Sequence, residues 1–99
     1  MATTISPRSI VVVAKEQVSC DLAGEAAILH LQSGIYYGLD EVGARIWNLI
    51  QEPRVVNDIR DALLREYDVE ADRCEQDLLA MLQQLAAEGL VEVTGEKAT

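Results

Sequence analysis

Two cysteines, one histidine and a dense set of carboxylates are the side chains in this sequence from which chemistry can be built. Cys20 and Cys74 are far apart, no C-x-x-C pair occurs, and His30 stands alone. A zinc site needs three or four ligands, so neither a metal nor any other cofactor is expected, and the thiols should be free and partly buried. Ser19 and Ser33 lie near His30 in the chain, but no motif supplies an acid to orient the imidazole. The acids of "EADRCEQD" (Glu70 to Asp77) read as a solvated helix face. Gly34, Gly38 and Gly43 do not have the spacing of a phosphate loop or a dinucleotide fingerprint. No catalytic residue is assigned. The chain reads as a binding module, not an enzyme.

A different feature invites a function. "SGIYYGLD" places Tyr36 and Tyr37 side by side in a short strand that runs straight into the helical pattern "EVGARIWNLI". Adjacent strand residues point to opposite faces, so at most one tyrosine can face a single core.

The elements around that stretch read as a sheet followed by helices. "SIVVVA" (Ser9 to Ala14) is a β-branched strand, "VSCDLAG" alternates weakly, and "AAILHL" (Ala26 to Leu31) and "IYYGL" (Ile35 to Leu39) flank the loop Gln32-Ser33-Gly34. A three-residue loop with glycine in the left-handed position would set Leu31 opposite Ile35, Leu29 opposite Tyr37 and Ala27 opposite Leu39. Leu29, Leu31, Ile35, Tyr37 and Leu39 then share the core face, and Ile28, His30 and Tyr36 the outer one. Tyr37 is expected in the core with its hydroxyl at a rim.

Asp40 is a good N-cap for a first helix carrying Val42, Ile46, Leu49 and Ile50 on one stripe, with Trp47 beside them. Gly43 costs this helix about 1 kcal/mol relative to alanine, which a close approach of strand and helix would explain. Pro53 ends the segment. A second helix is expected from Val56 to Tyr67 and a third from Ala71 to Glu88, with Gly89 as a left-handed cap and Leu90 folding back on Leu85. Ala71, Leu78, Leu82 and Leu85 make the core stripe of the third, and Cys74 and Met81 widen it on one flank with Asp77 beyond. "LVEV" reads as a terminal strand and "TGEKAT" as a frayed tail.

The expected fold is α+β of winged helix-turn-helix type: an N-terminal three-stranded antiparallel sheet, three helices and a short C-terminal strand. The 99 residues suit a single domain, 1–99, with its core at about 9–93. No apolar run approaches a membrane span and the N-terminus has no cleavage-like pattern, so a cytoplasmic protein without a membrane partner is expected. Seventeen acids against eight bases give a formal charge of −9, which disfavours nucleic acid as a partner.

"SGIYYGLDEVGARIWNLI" and "IRDALLREYDVEADRCEQDLLAMLQQLAAEGLVEV" together resemble the PqqD-like domains, the precursor-peptide recognition elements. The resemblance covers roughly Val18 to Val93. It rests on Tyr37, Leu39 and Asp40 at the strand-to-helix junction, on Ile46 and Trp47, and on Tyr67 and Asp68. Within the family the chain is most similar to the stand-alone leader-binding proteins of lasso-peptide biosynthesis. It departs from the usual pattern at Val55 and Glu70, where better helix-capping residues are common.

The resemblance implies that a precursor leader peptide adds as an antiparallel strand along Ile35, Tyr36, Tyr37 and Gly38. Its side chains would enter a groove walled by Arg73, Cys74, Asp77, Leu78 and Met81. It also implies a separate leader peptidase or other modifying enzyme as partner. Other readings are a PqqD-type chaperone serving a radical enzyme in quinone-cofactor or other peptide-modification pathways, and a scaffold subunit that binds only the enzyme. A winged-helix DNA binder shares the architecture, but its third helix would need bases where this one sets Arg73 among Glu70, Asp72, Glu75 and Asp77.

Overall fold

The computed structural model describes residues 4–97. The element order is β1 (Ser9–Val13), β2 (Gln17–Leu22), β3 (Glu25–His30), β4 (Tyr36–Leu39), α1 (Glu41–Leu49), β5 (Arg54–Val55), α2 (Val56–Glu66), α3 (Ala71–Ala87) and β6 (Val91–Glu96). The α+β class and the three helices are as the sequence implies. A three-stranded antiparallel sheet does precede the helices, but its order is β2-β3-β4. The winged-helix description fits loosely, because β1 lies instead at the centre of a second sheet, β5-β1-β6.

That placement has a simple cause. "SIVVV" is apolar on both faces, which suits a central strand more than an edge. Val11 is fully buried, and Val11 and Val13 stand opposite Val93 and Val91 of β6. β6 is also longer than "LVEV": Thr94 sits at a bulge, Gly95 and Glu96 pair with Ile10 and Ser9, and Lys97 N–H donates to the Arg8 carbonyl, in place of fraying. The rest of the expected tail, Ala98 and Thr99, lies outside the described residues. Packing begins before residue 9 as well: Ile5 joins the core, and its N–H donates to Gln83 Oε1 at 3.0 Å.

The hairpin register differs from the expected one by one residue. Ala26 pairs with Leu39, Ala27 with Gly38, Ile28 with Tyr37 and Leu29 with Tyr36. The loop is tighter in bonding but one residue longer: His30 N–H donates to the Ile35 carbonyl at 3.0 Å, and Gly34 N–H to the His30 carbonyl at 2.8 Å. His30 Nδ1 also accepts from Ser33 N–H at 3.1 Å, which ties the turn together. A one-residue slip exchanges the faces of a strand, so Ile28 and not Leu29 enters the core on β3. The faces of β4 stay as expected: Tyr37 and Leu39 pack on the core and Tyr36 points out.

The helices close over the inner face of this sheet. Asp40 Oδ1 accepts from Gly43 N–H at 2.8 Å and caps α1. Ile46, Trp47 and Ile50 are buried, and Trp47 Nε1 donates to Ser19 Oγ at 3.1 Å, fastening α1 to β2. α2 and α3 begin at Val55 and Glu70 without a side-chain cap. At the other end of α3, Gly89 has φ +77. Its N–H reaches the Ala86 carbonyl, and Leu90 N–H the Leu85 carbonyl, the paired bonds of a left-handed helix stop. The core stripe of α3 is Cys74, Leu78, Leu82 and Leu85. Ala71, expected on it, is exposed, and Cys74 takes its place.

Candidate functional site

Among the described residues β4 pairs only with β3, which makes it an edge strand. Antiparallel partners alternate between bonded and non-bonded sites, and the His30–Ile35 bond sets the phase. Ile35 turns its carbonyl to His30 of β3 while its N–H donates to Ser33 Oγ in the loop, and Tyr37 and Leu39 therefore turn their amides toward β3. Tyr36 and Gly38 turn theirs outward, where each offers a donor and an acceptor to another chain.

Two adjoining hollows lie beside this edge. One, of about 560 Å³, is lined by Tyr36, Tyr37, Gly38 and Leu39 on one side and by Met81, Gln84 and Leu85 of α3 on the other. The second, of about 360 Å³, runs between α1 and α3 and is lined by Val42, Ile46, Leu63, Tyr67, Val69, Arg73, Cys74, Asp77, Leu78 and Met81. Asp40, Gly43 and Met81 belong to both. Met81 is thus the hinge between strand edge and helix wall. A Cβ on Gly43 would lie 3.3 Å from Leu39 Cβ and 3.4 Å from Met81 Cε. The glycine at this junction lets strand, helix and methionine approach closely.

Of the residues expected at the site, Tyr36, Tyr37, Gly38 and Met81 border the first hollow. Arg73, Cys74, Asp77, Leu78 and Met81 border the second. Ile35 lines neither; it is exposed at the end of the hairpin loop. Val42, Val69 and Gln84 were not expected. Val42 fits the helical spacing of a core stripe, yet it is exposed at the mouth of the second hollow. Only its neighbours in space reveal that position.

The polar groups of the site are arranged to hold shape. Tyr37 O–H donates to Glu88 Oε2 at 2.8 Å, joining β4 to the end of α3. That bond, with partial burial and the nearby negative charge, holds the phenol above its ordinary pKa. Burial pushes the Cys74 thiol up, opposed by Arg60, so it is a packing group and not a reactive thiolate. Arg73 Nε and Asp77 Oδ2 form an exposed pair at 3.6 Å on the rim. Glu75 faces away from the hollow and accepts from Arg60 Nη1 of α2 at 3.0 Å. A strand edge with free amides, running beside an apolar trough with a polar rim, is built to take an extended peptide.

No curated protein matches the chain. Among solved structures it is similar to TbiB1 in complex with the TbiA(beta) leader peptide, with a TM-score of 0.77 and 38% sequence identity, covering 88% of this chain and 99% of that one. It shares its fold with lasso peptide synthetase B1 complexed with the leader peptide, at a TM-score of 0.74 and 23% identity, covering 83% and 96%. The family described as coenzyme PQQ synthesis protein D (PqqD) matches residues 25–91. That span runs from the first residue of β3, through the edge strand and all three helices, to the first residue of β6. It contains every residue of both hollows, and the chain belongs to the PqqD family.

Proposed function

We propose that this protein is a non-catalytic, single-domain recognition element. It binds the leader of a ribosomally synthesised precursor peptide and delivers it to separate modifying enzymes, a leader peptidase and a cyclase of the lasso-peptide kind. The observation that carries this reading is the β4 edge, whose outward amides at Tyr36 and Gly38 run beside the trough closed by Met81. The similarity to a chain solved with its leader peptide supports it.

The leader adds as an antiparallel strand, and alternate side chains descend into the two hollows. Two or three buried apolar anchors at about 1.5–3 kcal/mol each and ladder bonds at about 1 kcal/mol each oppose the roughly 2–5 kcal/mol needed to order a flexible leader. Affinity then depends on few side chains.

Titration of a fluorescent synthetic leader, that of the similar chain or of any precursor gene found beside this one, tests the reading. Tyr36→Pro deletes an outward donor, which an edge strand tolerates, and should abolish binding in a protein that circular dichroism shows folded. Met81→Asp places an unpaired charge in the apolar trough and should weaken binding at least tenfold, while Gln76→Asp, on the exposed side of α3, leaves it within twofold. A folded Tyr36→Pro variant with parental affinity refutes strand addition. The family description favours one other reading, presentation of a precursor to an enzyme of quinone-cofactor synthesis. Binding of that precursor, and not of the lasso leader, would select it.

A further inference from the structure

β2 is the second open edge of the β2-β3-β4 sheet, and the leader site does not use it. Among the described residues it pairs only with β3. Leu31 N–H donates to the Glu16 carbonyl at 3.2 Å, and with the β2–β3 register this sets the phase of the ladder. Val18 and Cys20 therefore bond to β3, while Gln17, Ser19 and Asp21 turn their amides and carbonyls away from the sheet. Edge strands are ordinarily blunted by lysine, proline or a bulge, and "QVSCDL" has none of the three. β6, the long edge of the other sheet, is bulged at Thr94.

We propose that this edge pairs with the same edge of a second copy, so that two chains form one six-stranded antiparallel sheet about a two-fold axis at Ser19. The strand is complementary to itself in that register. Ser19 meets the partner's Ser19, and Gln17 meets the partner's Asp21 on both sides of the axis. All three outward residues of each copy then find bonded partners, and each Asp21 carboxylate stands against an amide side chain. On the outer face Val18 stands opposite the partner's Cys20. Val18 is 53% exposed and Cys20 is exposed in the single chain, and the pairing covers both. A register moved by two residues either way leaves an outward residue of each copy without a strand partner.

The inner face has room for this pairing. α1 packs chiefly over β3, and between α1 and β2 lies a hollow of about 180 Å³ whose lining includes Ser19, Asp21, Asn48 and Gln51. In the pair the two β3 strands are three strand spacings apart, about 14 Å. Packed helices need only about 8–10 Å, so the two α1 helices do not collide. β4 lies at the far side of each copy's sheet, and the pair therefore presents one open leader edge at each end. Charge opposes the contact, since two chains of formal charge −9 repel. Salt screens exposed charges and so strengthens it.

Sedimentation velocity on the full chain, at protein concentrations from micromolar to millimolar, tests this. The parent should pass from monomer to dimer, and at lower protein concentration in high salt than in low. Asp21→Pro deletes an outward donor that an edge strand can spare. It should stay monomeric throughout and bind the fluorescent leader within twofold of the parent. Val18→Cys sets a new thiol opposite the partner's Cys20 at a non-bonded pair, where the α-carbons are close enough for a disulfide. Mild oxidation should convert most of this variant to a covalent dimer that still takes one leader per chain. A parent that stays monomeric while binding leader overturns the pairing and leaves the leader-binding reading intact. A dimer that binds no leader overturns that reading alone. A dimer that Asp21→Pro leaves whole, or that added leader dissolves, places the contact elsewhere and overturns the pairing, as does a Val18→Cys protein that forms no covalent dimer.

Discussion

Tyr36 and Tyr37 are neighbours in the chain, but only Tyr37 packs on the core, and Tyr36 is exposed. Tyr37 lies on the core side, and its hydroxyl bridges to Glu88 at 2.8 Å, so a strand and the end of a helix hold the first hollow open between them. The bond raises the phenol's pKa above 10.0 in the folded state. A group whose folded pKa is raised adds stability that is fully present below the unfolded value and is lost as pH rises through the folded one. The parent should therefore lose stability above about pH 10, and Tyr37→Phe should lose less over the same range. Cys74, also raised, acts in the same direction in both proteins, so the difference between them isolates Tyr37. Guanidinium midpoints at pH 8, 10 and 11 measure it, and equal alkaline losses in the two proteins would show that the bond does not hold in solution.

The helices are unevenly capped, and this bears on stability. α1 has Asp40 bonded to Gly43 N–H, while α3, which supplies the wall of both hollows, starts at Glu70 with no side-chain bond. Glu70 already has the extended backbone of an N-cap, at φ −71 and ψ 136. Glu70→Asp keeps the negative charge at the helix start and shortens the side chain to capping length. It should stabilise by about 1 kcal/mol, or roughly 4–8 °C in the thermal midpoint of a domain this size. Differential scanning calorimetry decides it: an unchanged midpoint would mean that the first turn of α3 is held by packing alone. The hairpin shows the opposite balance, where tertiary packing overrides local turn preference. Gly34 does take a left-handed φ of +72, yet the loop holds one more residue than its composition suggests. The burial of Ile28 against the helices selects the register.

For the whole molecule, net charge governs approach more than affinity. At −9 the surface attracts a leader that carries Lys or Arg, and Asp77 stands on the rim of the second hollow. Its neighbour Arg73 offsets it, so Asp77→Asn leaves an unopposed cation there. Association of a basic leader should then slow several-fold at low salt, and the difference should vanish above about 0.1 M, where screening acts within about 10 Å. Stopped-flow rates across a salt series read this directly. A faster dissociation at every salt concentration would instead mean that Asp77 bonds the leader itself.

Local rules made much of this protein legible from its residues. Asp40 before an apolar helix, Gly89 after one, and Tyr37 and Leu39 alternating on one strand each depend on neighbours within a few positions, so spacing alone carries them. Met81 was likewise visible as a flank of α3 broader than a core stripe needs, whereas Cys74, spaced as its companion, belongs to the core stripe itself. Tertiary structure decided what depends on contacts between distant segments. β1 leaves the hairpin sheet because its valines meet Val91 and Val93, some eighty residues away. The one-residue slip of β3 turns Leu29 outward to join Val18 and Tyr36. Val42, spaced as a core residue, lies open at the mouth of the second hollow. Burial is a property of three-dimensional neighbours, and periodicity in the chain fixes only which residues share a face, not what covers that face.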